Sequence, residues 1–174
     1  MGYDYRLYQE TPIWDLAKAV EDNDFEEMEK LVKEKKLDVN YKDPRFGQPL
    51  LFLPIWHNQV DAVEKLLVLG ADPNAHQTRD DETALIMAAD KEETEISIQL
   101  MKVLLKYGAN VNDIQNNVSQ HSDPLDSIGI STTALIAACA DVSTDKNPLK
   151  KVKFLVEAGA NINYLGSHHA SALN

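Results

Sequence analysis

Four short segments of nearly the same composition recur along the chain and divide it into units. They read LDVN (37–40), GADPN (70–74), GANVN (108–112) and GANIN (159–163). Each follows a segment whose apolar residues are three and four positions apart, a spacing that predicts an amphipathic helix. Glycine adopts a left-handed backbone without a side-chain penalty, so Gly70, Gly108 and Gly159 are predicted to end these helices.

A second motif lies between these segments and predicts a shorter helix in each unit. It reads QPLLFLPI (48–55), TALIMAA (83–89) and TALIAAC (133–139). Thr83 and Thr133 are suited to cap this helix, because a hydroxyl accepts from a free amide of the first turn. The corresponding residues Leu51 and Leu85 are 34 positions apart. A period of about 33–34 residues with two helices and a turn is typical of a solenoid, in which no repeat buries its apolar face alone.

The segments ETALIMAAD and TTALIAACA, with the three GA(D/N)xN endings, resemble the ankyrin-repeat family over nearly the whole chain. The resemblance implies an all-α solenoid of stacked helix-turn-helix pairs joined by β-hairpin-like arms. The segments LAKAVEDNDFEEMEKLVKE and DPRFGQPLLF are similar in style to bacterial ankyrin repeats.

The resemblance implies a single domain over residues 1–174 with about four repeats. The predicted units are an N-terminal cap repeat at about 12–41, repeats at 42–75, 76–112 and 113–163, and a partial fifth repeat at 164–174.

The chain departs from the family pattern at two places. Gly108 and Gly159 are 51 residues apart, so the fourth repeat carries extra chain, most of it in a polar arm insertion at 113–132. Long loops are functional or disordered, and both readings stay open here. Pro54 stands where the family prefers alanine, and because it lacks a backbone N–H it should shorten or kink its helix.

The charge balance limits the class of partner. With 28 acidic against 17 basic residues the formal net charge is −11, which argues against nucleic acid or an anionic membrane as the main partner. We expect another protein with a neutral or basic surface, and a monomer rather than a homo-oligomer. The chain has no apolar run long enough for a membrane span, so we expect a soluble, cytoplasmic protein; a chain whose leader had been removed would look identical.

The sequence carries no motif of a catalytic or metal site. The five histidines are scattered, and no H-E-x-x-H, C-x-x-C or G-x-S-x-G pattern is present. The single cysteine, Cys139, lies in a small-residue run and is interpreted as packing. We therefore expect no enzyme activity, no metal and no cofactor.

In ankyrin proteins the concave surface is formed by arm tips and exposed inner-helix positions. The resemblance implies that the partner-binding residues are Glu21, Asp22, Arg45, Phe46, Gln48, Trp56, His57, Arg79, Asp80, Glu82, Asp90, Lys91, Thr132 and Asp141. Arg45, Phe46, Trp56 and His57 are the preferred anchors, since aromatic and arginine side chains dominate interface hot spots. The competing interpretations are that Trp56 covers a gap left by Pro54 and that Phe46 folds under its own arm.

The predicted function is a non-enzymatic module that binds a partner protein through this concave face. Two alternatives stay open. One is an acidic immunity or inhibitor protein of a bacterial toxin or effector. The other is an architectural segment that self-associates through the ends of the solenoid.

Overall fold

Helices account for most of the described chain and come in pairs. The structure, a computed structural model, describes residues 4–92, 94–117, 130–140 and 148–164. After a 3-10 turn at Tyr5–Tyr8, its helices are α1 (Trp14–Glu21), α2 (Phe25–Lys33), α3 (Phe52–Trp56), α4 (Val60–Val68), α5 (Ala84–Ala89), α6 (Thr94–Lys106), α7 (Ala134–Ala140) and α8 (Pro148–Glu157). Of these helices, none combines the length and apolar character needed to cross a membrane.

The helices form two layers, as predicted for a solenoid. The inner helices α1, α3, α5 and α7 pack one against the next, and the outer helices α4, α6 and α8 do the same. Each inner helix also packs on the outer helix that follows it. The core lies between the layers, where side chains such as Leu53, Leu66, Ala88 and Leu104 are fully buried. The limits of the repeats stay a prediction, and the partial fifth repeat lies almost wholly outside the described residues.

Short arms with hairpin-like pairing join the helix pairs. Single antiparallel bridges close the second and third arms, between Lys42 and Pro49 and between His76 and Thr83. In the fourth arm, β1 (Gln115–Asn117) pairs antiparallel with β2 (Ile130–Thr132), with Gln115 opposite Thr132. The hairpin-like arms implied by the resemblance are therefore present.

The local signals read from the sequence set the helix ends. The Thr83 hydroxyl accepts from the Ile86 amide at 3.3 Å, and Thr133 caps α7 in the same way through Ile136. The glycines that follow α4, α6 and α8 have φ between 94° and 100°, which L side chains rarely adopt. The helix-ending role predicted for these glycines is confirmed.

Pro54 shortens its helix, as the sequence predicts. α3 has five residues whereas α5 has six. Since Pro54 has no N–H to donate to the Leu50 carbonyl, that carbonyl accepts from the Leu53 amide at 3.1 Å instead, in a tighter turn. α3 begins only at Phe52, which leaves Pro54 in its first turn, where a missing N–H is tolerated.

An asparagine at the end of each of the first three repeats links it to the next repeat by two hydrogen bonds. Asn74 Nδ2 donates to the Gly108 carbonyl at 3.0 Å, and Asn74 Oδ1 accepts from the Asn110 amide at 2.7 Å. Asn40 makes the same pair with Gly70 and Asp72. Asn112 makes it with Gly159 and Asn161. We call these three asparagines the asparagine ladder; it fixes the spacing of successive repeats.

Side chains from later in the chain cap the C-terminal ends of inner helices. Gln59 Nε2 donates to the Glu21 carbonyl of α1 at 2.8 Å. Lys91 Nζ donates to the Trp56 carbonyl of α3 at 2.7 Å. Lys151, fully buried, donates to the carbonyl of Ala89 in α5 at 3.2 Å. A cation is favourable at this end of a helix because the free carbonyls carry partial negative charge.

Ion pairs connect neighbouring outer helices to one another. Lys65 of α4 lies 2.5 Å from Glu29 of α2, and Lys106 of α6 lies 2.6 Å from Glu64 of α4. Hydrogen bonds from Lys33 and then Lys65 lower the pKa of Glu29 to about 2. Glu29 therefore stays ionised well into the acid range. The Lys65–Glu29 ion pair between α4 and α2 persists over the same range.

We expect Asn74→Ala to lower the free energy of unfolding by about 1–3 kcal/mol, because it removes two hydrogen bonds worth roughly 0.5–1.5 kcal/mol each. Urea denaturation followed by circular dichroism measures the change. Gln99→Ala, at an exposed position of α6, is the control and should shift stability by less than about 0.5 kcal/mol. Equal effects of the two substitutions would contradict the role of the ladder.

Candidate interaction surface

The tips of the second and third arms meet around the ring of Phe46. The guanidinium carbon of Arg45 lies 5.0 Å from the ring centroid and that of Arg79 lies 5.7 Å from it. Phe46 is half-buried, and both arginines are exposed. Cation–π attraction therefore orients two arginines from neighbouring arms on one aromatic ring.

A buried carboxylate shapes the arm that carries Phe46. Asp43, 1% exposed, accepts from the amides of Arg45 and Phe46 at 2.9 and 2.8 Å and from that of Gln48 at 2.7 Å. These bonds close the turn and place Gly47 in a left-handed conformation with φ 66°. The Gly47 carbonyl then accepts from the Thr78 amide of the next arm at 3.0 Å.

We expect Gly47→Ala to destabilise the protein by about 2 kcal/mol or more, because a Cβ at this position would lie 2.2 Å from Thr78 Cβ in addition to the left-handed strain. The double variant Gly47→Ala/Thr78→Gly should recover part of this loss, since the second change removes the clash. Thermal unfolding of the three proteins measures both effects. No recovery in the double variant would contradict the close approach of the arms.

Gln48 is not on the exposed surface, which corrects the sequence prediction. Its side chain is fully buried. Its backbone carbonyl accepts from the Asp43 amide at 2.9 Å and from the Tyr8 hydroxyl at 3.1 Å. Burial, and the nearby Asp43 carboxylate, raise the pKa of Tyr8. The Gln48 position turns inward because the N-terminal 3-10 segment covers the base of this arm, whereas Glu82, 34 residues later, remains half-exposed.

A groove lies beside Trp56 at the end of α3. Trp56 is 42% exposed, and Lys91 Nζ lies 5.1 Å from its ring centroid. The groove has a volume of about 350 Å³ and is lined by Trp56, Asn58, Glu82, Met87, Asp90, Lys91 and Glu92. Four of the residues proposed from the sequence thus come together: Trp56, Glu82, Asp90 and Lys91. Among the described lining residues, three carboxylates and one ammonium give an acidic balance.

The remaining proposed residues lie apart from this groove lining. His57 Nε2 is 3.5 Å from Glu21 Oε2, which pairs the ends of α3 and α1, and Asp22 is exposed at the end of α1. Asp80 lies 3.8 Å from Arg79 Nε at the third arm. Thr132 is half-buried in β2. Asp141 lies outside the described residues.

His76 connects the third arm to the fourth. Its Nδ1 lies 2.9 Å from Asp81 Oδ1, and its Nε2 lies 3.2 Å from Asp113 Oδ2. Burial lowers the pKa of His76, but the carboxylates of Asp113 and Asp81 outweigh it, so the pKa lies above 6.5. The protonated ring therefore stabilises the folded state below the unfolded-state pKa, and this contribution is lost as pH rises through the folded-state value.

We expect wild type to exceed His76→Gln in unfolding free energy by up to about 1 kcal/mol at pH 6, because a partly exposed ion pair contributes no more than that. The difference should shrink at pH 9, where the folded-state imidazole is neutral. Urea denaturation at both values measures it. A difference that is constant with pH, or larger at pH 9, would contradict the bridge.

Several residues of this surface were not predicted from the sequence. Asn58, Met87 and Glu92 line the groove, and Asp113 meets His76 across two arms. The repeat period could have identified Asn58 and Glu92, because they are 34 positions apart and both follow an inner helix. No sequence pattern assigns Met87 to the groove, since its position within α5 indicates core packing.

Candidate metal ligands and the single cysteine can be compared with the sequence interpretation. Within the described ranges, no group of three or more His, Cys, Asp and Glu side chains is placed to hold a metal ion. Cys139 is half-buried, and burial raises the pKa of its thiol, which disfavours the nucleophilic thiolate.

Comparison with known proteins agrees with this architecture. The family model described as ankyrin repeats (3 copies) matches residues 51–165, about two thirds of the chain. No curated protein matches the chain.

Proposed function

Because the chain belongs to the ankyrin-repeat family, whose repeats generally mediate protein–protein interactions, we propose that it binds a partner protein through its arm tips and the Trp56 groove. The family is typically non-enzymatic. The observation that carries this location is Trp56, a tryptophan 42% exposed at the mouth of a groove lined by charged residues.

The residue types of this surface support the proposal. Tryptophan, tyrosine and arginine dominate hot spots, and Trp56, Arg45 and Arg79 lie on elements that the asparagine ladder stacks. Phe46 orients both arginines before a partner arrives. A surface ordered in advance loses little conformational entropy on binding.

The charge distribution favours a basic partner. The net charge of −11 steers a basic protein toward the chain, and the groove presents Glu82, Asp90 and Glu92 against Lys91. This charge also supports the narrower alternative, an acidic inhibitor of a basic bacterial toxin or effector. Loss of a toxin's lethality on co-expression with this chain would favour that alternative.

A self-associating architectural role is the second candidate, and the exposed apolar side chains of the last described repeat favour it. Leu149 is 75% exposed and Val156 is 42% exposed, both on α8, and Ile162 is 40% exposed just beyond it. Sedimentation at rising concentration tests this role. A dimer that Leu149→Ser abolishes would support it, and a monomer throughout would remove it.

We expect Phe46→Ala/Trp56→Ala to weaken partner binding by at least about 2 kcal/mol, the loss typical of hot-spot truncation. A partner captured from the native organism's extract is identified, purified and titrated by calorimetry against wild type and variant. The control is Phe25→Ala/Val68→Ala, which truncates two exposed apolar side chains of the outer helices. All proteins must melt alike. Equal affinity of wild type and the Phe46/Trp56 variant would contradict the proposed surface.

A further inference from the structure

We propose that the Trp56 groove binds the guanidinium group of an arginine in a basic segment of the partner. This inference rests on the proposed function and names the chemistry that its central site would recognise. Three features of the Trp56 groove support it: the aromatic ring, the carboxylates and the volume.

The ring of Trp56 already attracts a cation. Lys91 Nζ lies 5.1 Å from its centroid while donating to the Trp56 carbonyl at 2.7 Å. Tryptophan provides the best π-face for cation–π attraction. Since 42% of the residue remains exposed, the ring offers surface to a second, external group.

Three carboxylate side chains line the same groove as this ring. Glu82 comes from the third arm, Asp90 from the end of α5, and Glu92 from the loop that follows it. Among the described lining residues, the ammonium of Lys91 is outnumbered by these three carboxylates, so their combined charge favours an added positive charge. Electrostatic complementarity of this kind selects a basic partner group over an acidic one.

The residue types and the size of the groove favour arginine over lysine. Its volume of about 350 Å³ is at the lower end for ligand pockets, which suits one long side chain rather than a whole folded element. A planar guanidinium stacks on an indole and bonds a carboxylate through two parallel N–H groups, whereas an ammonium does neither. Lys91 competes with this cation by charge, so its removal should strengthen binding.

The probe is the capped tripeptide acetyl-Arg-Gly-Arg-amide, and its control contains citrulline, the neutral analogue of arginine, at both positions. The chain has two tryptophans, so the full-length Trp14→Phe protein leaves Trp56 as the sole fluorescent tryptophan. Trp14 is half-buried against Tyr5, and phenylalanine retains an aromatic ring there.

We expect Trp56 emission to change and saturate with the arginine peptide and to stay constant with the citrulline peptide. Glu82→Gln/Asp90→Asn/Glu92→Gln should raise Kd at least about fivefold, and Lys91→Met should lower it, because the two changes alter the groove's charge in opposite directions. The matched control Glu26→Gln/Glu34→Gln/Glu157→Gln neutralises three exposed carboxylates elsewhere and should change Kd less than twofold. Equal responses to both peptides, or equal effects of the two triple variants, would overturn the inference.

The identified partner separates this inference from the proposed function. Partner binding that is weakened by Phe46→Ala/Trp56→Ala but unchanged by the groove triple variant would keep the proposed function and overturn guanidinium capture. Partner binding that survives Phe46→Ala/Trp56→Ala, with the arginine peptide still bound to the wild-type groove as expected, would overturn the proposed function and the assignment of the arginine to that partner, while supporting guanidinium binding by the groove.

Discussion

The asparagine ladder is the interaction on which the rest of the structure depends. The outer helices α4, α6 and α8 each end at a left-handed glycine whose carbonyl can no longer be used within the helix. The asparagine of the preceding repeat satisfies that carbonyl and also accepts the amide two residues later, as Asn74 does for Gly108 and Asn110. A carbonyl that would otherwise need a hydrogen bond from water therefore connects one repeat to the next. We call this connection a joint.

This joint sets which residues become neighbours across repeats. Phe46 and Arg79 are 33 positions apart, and Trp56 and Lys91 are 35 apart, close to the period itself. Side chains at nearly equivalent positions therefore stack, which brings the two arm tips together and places Lys91 over the indole. The surface proposed for binding thus follows from the same spacing that builds the core.

The regular part of this architecture was predictable from the sequence. The helices, their threonine caps, the left-handed glycines and the shortened helix at Pro54 all follow from local chemistry that acts over one turn. The family membership followed from the repeated motifs. These features need no knowledge of how distant side chains meet.

The contacts specific to this chain were not predictable in the same way. Gln48 is buried because the N-terminal segment places Tyr8 against its carbonyl, an encounter across 40 residues that no local pattern records. His76 meets Asp113 only because two arms stack side by side. The groove lining likewise depends on where Met87 and Glu92 fall around Trp56 after the repeats have packed.

Native-state hydrogen exchange at three backbone amides tests the central role of the ladder most directly. Asp72, Asn110 and Asn161 are exposed residues outside the helices, and their amides donate to the asparagine of the repeat before. We expect slow exchange at all three amides in the native protein, with protection lost at Asn110 and kept at Asp72 when Asn74 is replaced by alanine. Fast exchange at all three amides in the folded wild type would contradict it.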